Sequence, residues 1–204
     1  MPKVVKILFY VCMAAVITGC RQQPIVQQDR SNSGQRVEIN TDSSLPSEKQ
    51  EIQEEVRVVF GSYDEAFRFT GSIPNKYQVE YIPEIRSINI YDQSAGGSTA
   101  REQSQIFIRF FTASTFLTLP TVDILKREET TFKDHAAVRY EIIKKPRVAA
   151  FTAQPQWRNE RHSLIDIRLS VTSPTTFYVF AYNPDLPAVV FERFMSTIVF
   201  DDDR

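Results

Sequence analysis

The sequence predicts an α+β fold: a mostly antiparallel β-sheet with a C-terminal helix packed on it. Three observations predict it. Short stretches of period-two alternation, separated by turn residues, recur from residue 66 to residue 182. A single amphipathic helical pattern follows them. Neither βαβ spacing nor an internal repeat is present, which favours antiparallel pairing.

The chain opens with Lys3 and Lys6, followed by an unbroken apolar run from Ile7 to Ile17. That run falls short of the roughly 20 residues a spanning helix needs, so it reads as a cleaved secretory signal. Its end, Ile17-Thr18-Gly19-Cys20, resembles the bacterial lipobox. The resemblance implies a signal peptide over residues 1–19, a diacylglyceryl group on the Cys20 sulfur and cleavage before that cysteine. The expected location is the extracytoplasmic face of the bacterial cell envelope, held on the membrane by the lipid. Arg21, where an Asp would favour the inner membrane, implies outer-membrane sorting if the cell has two membranes.

Residues 20–55 then read as the lipidated cysteine and a flexible polar tether, being rich in Gln, Ser, Asp and Glu and too poor in apolar surface to offset ordering entropy. A short helix near Glu48 to Val58 lacks an apolar stripe, and linker is the preferred reading. Residues 56–204 form the expected globular domain, of a size that sustains its own core.

Within it, Ala66 to Thr70 reads as a first strand with Phe67 and Phe69 on one face, and Gly71 to Asn75 as a turn. Tyr77, Val79 and Tyr81 alternate with polar residues until Pro83 ends the strand. Arg86 to Tyr91 continues as β-structure. Asp92 to Glu102, with Gly96-Gly97, reads as an exposed loop. Gln105 to Phe111 places Ile106, Ile108 and Phe110 on one face, and a short helix or turn is expected around Ala113 to Leu119. Thr121 to Phe132 and Ala136 to Lys144 suit a hairpin about Lys133-Asp134-His135. Ser163 to Val171 sets Ile165, Ile167, Leu169 and Val171 inward, with Asp166 and Arg168 outward. Phe177 to Tyr182 is apolar on both faces, so both are expected to be covered. Val190, Phe191, Phe194, Met195 and Ile198 recur at helical spacing, with Asp185 as the expected cap.

Composition narrows the chemistry. Cleavage would remove Lys3 and Lys6 from the 24 basic residues, leaving 22 against 25 acidic ones, so no nucleic-acid partner is expected. The chain has two cysteines, Cys12 in the signal and Cys20 spent on lipid. The mature domain is left without a disulfide, a thiol nucleophile or a cysteine zinc site. No metal site and no cofactor is expected: the phosphate-loop and zinc-helix motifs are missing, and Asp201-Asp202-Asp203 reads as a solvated tail.

The stretch His135-Ala136-Ala137-Val138-Arg139-Tyr140-Glu141, the long strand after His162, Phe177 to Asp185, and the closing helix with Thr197-Ile198-Val199-Phe200 together resemble the PsbP-like family. Phe69 and Ser72 to Tyr77 fit that family's opening. The resemblance implies an α/β/α sandwich around an antiparallel sheet, and implies no catalytic residue.

Two sets of residues compete as sites. His162 precedes Asp166 by four residues and could serve an envelope hydrolase, although no nucleophile motif accompanies it. Gln154 to His162 holds Trp157 beside Arg158, Arg161 and His162, residue types that favour recognition surfaces and could grip an anionic partner. The bland expectation for that stretch is Trp157 plugging the core edge with the arginines in water. Arg139, Glu141, Asp166 and Arg168 are expected as outward cross-strand ion pairs. The leading functional reading is a membrane-tethered, non-enzymatic binding or assembly module with an envelope protein as possible partner. The alternatives are the hydrolase and a purely structural lipoprotein.

Overall fold

The computed structural model describes residues 54–113, 119–170 and 175–201. The signal, Cys20, the tether up to residue 53, most of the segment expected as a helix or turn near Ala113 to Leu119, and Asp202-Asp203 lie outside the described residues.

Seven strands form one antiparallel sheet: β3 (Tyr77–Ile82), β4 (Ser87–Asp92), β5 (Ser104–Ala113), β6 (Val122–Phe132), β7 (His135–Lys144), β8 (His162–Arg168) and β9 (Thr175–Tyr182). Their order is β3-β4-β5-β9-β8-β7-β6. The chain thus runs one meander from β3 to β5, crosses to the far edge, and returns through a second meander to pair β9 with β5. A smaller sheet joins β1 (Glu55–Val59), β2 (Phe69–Pro74) and β10 (Val199–Phe200), with β2 in the centre. The single α-helix among the described residues, α1 (Ala188–Thr197), precedes β10. The predicted α+β class, an antiparallel sheet with a C-terminal helix on it, is what the chain forms.

The small sheet and α1 cover one face of the large sheet. Phe60, Phe69, Ile108, Tyr178, Phe180 and Phe191 meet in that core, with rings in edge and tilted contacts such as Phe69–Phe180 at 5.5 Å. The Tyr178 hydroxyl accepts the Arg68 N–H at 2.8 Å and donates to the Ala66 carbonyl, which ties the chain before β2 onto β9. The opposite face buries a second cluster that includes Phe107, Val138, Leu164, Val179 and Ala181. The irregular segment between β7 and β8 covers it through Trp157, and among the described residues no second helix lies there.

Local chemistry explains the joints. Lys133 and Asp134 both take positive φ (47° and 65°), the two-residue turn that matches the right-handed twist of a hairpin. The β6–β7 register runs from Val122↔Lys144 to Phe132↔His135, with a bulge at Leu125. β6 is an edge strand, and Lys126, Arg127, Glu128 and Glu129 guard it with exposed charge.

Four expectations need correction. The stretch Glu48 to Val58, preferred as linker, ends in strand β1 from Glu55 onward; β1 makes five register pairs with β2 while leaving most of its side chains in water. Gly71 to Pro74 continue β2, so Gly71 marks a close approach rather than a turn: a Cβ there would lie 2.9 Å from Ile198 Cδ1 and 3.3 Å from Phe194 Cε2. Asp185 does not cap α1, whose N-cap is Pro187 without a side-chain bond. Instead the Asp185 N–H bonds the Asn183 carboxamide oxygen at 3.0 Å, an Asx turn. Asp166 points into the second core at 0% exposure instead of outward.

Candidate functional site

Asn89, Arg109 and Asp166, on β4, β5 and β8, each leave at least one buried side-chain atom without a hydrogen-bond partner on the face of the sheet opposite α1. The loop from β7 to β8 brings the unbonded Trp157 indole N–H to the same face. Its own hydrogen bonds hold it: Phe151 N–H to Asn159 Oδ1 at 3.0 Å, and the Asn159 carboxamide to the Gln156 carbonyl at 3.0 Å. Pro155 starts a 3-10 turn over Gln156–Asn159, closed by Arg158 N–H to the Pro155 carbonyl. That turn drops both Trp157 and Arg158 onto the sheet, at 7% and 1% exposure.

Arg158 is a buried cation. Its Nε donates to Gln154 Oε1 at 3.3 Å and its Nη1 donates to His162 Nε2. Its guanidinium stands 5.9 Å from the ring centroids of Phe107 and of Trp157. No carboxylate pairs with it among the described residues. Burial, followed by repulsion from Arg109, draws its pKa down to about 9.

His162 begins β8, buried between Arg158 and its own loop. Its Nδ1–H donates to the Glu160 carbonyl at 2.7 Å, leaving Nε2 as the acceptor for Arg158. Burial and the Arg158 charge push its pKa down to about 3, against the pull of the Glu160 carbonyl. The ring is therefore neutral, with both nitrogens hydrogen-bonded. Asp166 shares its face of β8 but stands four residues on, about 13 Å along the strand by the ordinary rise per residue. The two make no hydrogen bond, so the His162–Asp166 pairing expected of a hydrolase is absent.

Asp166 is itself unusual. Neither carboxylate oxygen has a hydrogen-bond partner. Burial raises its pKa to about 6, opposed by Arg168, by the nearby but unbonded Val138 N–H and by Arg127.

The structure thus brings Trp157, Arg158 and His162 together. It does not bring Arg161, which is exposed and paired with Glu141. The expectation that both arginines face water fails for Arg158, because the 3-10 turn aims it inward. The expected cross-strand ion pairs fail as well: Arg139 reaches α1 and grips Glu192 with two bonds of 2.6 and 2.9 Å. Sequence reasoning missed Arg109. It lies on β5 two residues beyond Phe107, on the same face, and pairs in register with Ser87 and Val179. The signal was an Arg set inside the apolar run Ile106 to Phe111 of β5.

Two clefts lie elsewhere. One, of about 280 Å³, is lined by residues that include Arg139, Glu141, Ser163, Tyr182 and Phe191, and its arginine and glutamate are already ion-paired. The other, of about 320 Å³, includes Phe110, His135, Leu169, Tyr178 and Phe200. Among the described residues no group of three His, Cys, Asp or Glu could hold a metal ion.

No protein-family description and no curated protein matches the chain. Among solved structures it is similar to cyanobacterial PsbP (CyanoP) from Synechocystis sp. PCC 6803, at 8% identity and a TM-score of 0.43. That likeness covers 74% of this chain and 95% of the other. It is also similar to a protein of Bacteroides thetaiotaomicron, at 10% identity and a TM-score of 0.30, over 73% of this chain and 49% of that one. PsbP heads the family that the strand pattern resembles. At these identities and scores no activity and no residue role passes to this chain.

Proposed function

We propose that the chain is a lipid-anchored lipoprotein of the cell envelope whose globular domain is a non-enzymatic binding or assembly module. The lipobox at Ile17 to Cys20 supports the anchor, and Arg21 supports the outer membrane where there are two. The observation that carries the non-enzymatic reading is the commitment of His162. Both its ring nitrogens are bonded, it is buried, and its pKa lies near 3. A base must be free and titrate near the working pH. The other histidine, His135, packs edge-on against Phe200 at 4.9 Å. The binding face on this reading is the outer surface of the loop that buries Trp157, Arg158 and His162, where Arg161 stands exposed.

Crosslinking in cells, membrane extraction and mass spectrometry test the proposal together. The expected result is Cys20 carrying diacylglyceryl and one dominant envelope partner. An unmodified, freely released chain would overturn the anchor. A lipidated chain without any specific partner would leave the purely structural lipoprotein.

A further inference from the structure

We infer that Arg109 and Arg158 together bind a small oxyanion, a carboxylate or phosphate group, beside Trp157. The chemistry of the missing partners carries the inference. The Arg109 side chain makes no hydrogen bond or ion pair among the described residues, and its Nε is buried. Arg158 uses Nε and Nη1 within the protein, while Nη2 bonds nothing described. The Trp157 indole N–H is buried and unbonded. All three are donors. The group that would satisfy them must bring acceptors and negative charge.

Charge bookkeeping agrees. Arg158 stands 5.9 Å from the Phe107 ring, and Arg109 is two residues beyond Phe107 on the same face of β5; in keeping with that, Arg109 helps to depress the Arg158 pKa, and burial depresses that of Arg109. Buried cations without a counter-charge are costly, and proteins ordinarily pair them. Among the described residues the buried carboxylate on this face, Asp166, is two strands from Arg109 with Val179 between, about 10 Å by strand spacing. It bonds neither arginine. His162 accepts one Arg158 proton but brings no charge.

Access sets the size of the ligand. Arg109 is half-buried and Arg158 is 1% exposed, so a small group could reach the pair where a flat protein surface could not. The planar fork of each arginine suits carboxylate or phosphate oxygens, which two donors can grip at once.

Trp157 is the sole tryptophan of the chain, so its fluorescence and indole N–H resonance report on this site alone. Full-length protein in detergent is titrated with sodium phosphate and, separately, sodium acetate, with ionic strength held constant by sodium chloride. A saturable response to either salt at millimolar concentrations or below is expected, and the salt that elicits it identifies the oxyanion. Arg109→Gln should weaken it about tenfold or more, the loss of a charge-assisted pair. Should that variant fail to fold, phenylglyoxal modification of Arg109 in the wild-type protein, mapped by mass spectrometry, should slow when the responding salt is present. Linear drift with both salts, Arg109→Gln titrating like wild type, or unprotected Arg109 would overturn the inference. It rests on the binding-module reading, yet the two fail separately. A silent titration with a crosslinked partner removes only the oxyanion site, and an unlipidated Cys20 removes only the anchor.

Discussion

Replacing Asp166 by Asn should reverse part of the pH dependence of folding. Asp166 is fully buried in β8 with both oxygens unbonded, and burial lifts its pKa from 3.8 to about 6. A shift of about two units is worth on the order of 3 kcal/mol. The sign follows from proton counting. Between roughly pH 4 and pH 6 the native state keeps a proton that the unfolded chain has lost. The contribution is therefore complete below the unfolded pKa and is lost as pH rises through about 6. His162 works the other way. Its native pKa of about 3 lies below the ordinary 6.5, so its contribution is lost as pH falls from 6.5 toward 3. The raw stability curve of the wild type mixes the two, and only the difference from Asp166→Asn isolates the carboxylate. The amide carries its own cost for a buried unbonded donor, about 1–3 kcal/mol, and that cost is constant with pH. Urea unfolding at steps from pH 4 to pH 8 gives both free energies. The variant should gain about 2–3 kcal/mol on the wild type across that range, most of it below pH 7. Parallel curves would refute the reasoning, because they would mean that Asp166 ionises in the native state as easily as in the unfolded one.

Three further outcomes are expected. Gly71→Ala should destabilise by about 1–3 kcal/mol, read from the urea midpoint, because the added methyl meets Ile198 and Phe194 of the C-terminal segment. Lys133→Asn with Asp134→Gly should stabilise by about 1 kcal/mol in the same assay, since both positions hold positive φ. Arg139→Ala should cost less than about 1 kcal/mol in spite of its two-pronged bond to Glu192, because both side chains are open to water, and added salt should shrink the loss.

The parts of the fold that were legible are those where burial leaves a period. Strand β3, the β6–β7 hairpin with its Lys133-Asp134 turn, and α1 read correctly because one side of each meets water or packs on a fixed stripe, and β5, covered on both faces, read correctly from its dense run of Ile and Phe. Strand β1 was not legible: of its five residues only Val58 is even half-buried, so pairing with β2 left no pattern to see. Asp166 misled for the opposite reason. Alternation with Ile165 and Ile167 assigns it to solvent only if the second face is open, and an aperiodic loop closes that face. The same loop explains the site. Trp157, Arg158 and His162 stood out as a local group, but the inward aim of Arg158 depends on a 3-10 turn, and Arg109 is 49 residues away in sequence. A contact across that distance exists only after the sheet has formed.

The pairing of β10 with β2 also bears on how the protein is made. β2 is among the first strands of the domain to be synthesised, and its partners at Thr70 and Phe69 are Val199 and Phe200. Until those late residues arrive, β2 holds one bare edge, and Phe60 and Phe69 lack the cover of α1. An unfinished chain therefore presents an open, aromatic-flanked strand to its neighbours, the kind of edge that recruits other chains. Any delay in producing or delivering the last tenth of the polypeptide lengthens that exposure, so the order of synthesis leaves the most aggregation-prone edge of the domain open until its final strand closes.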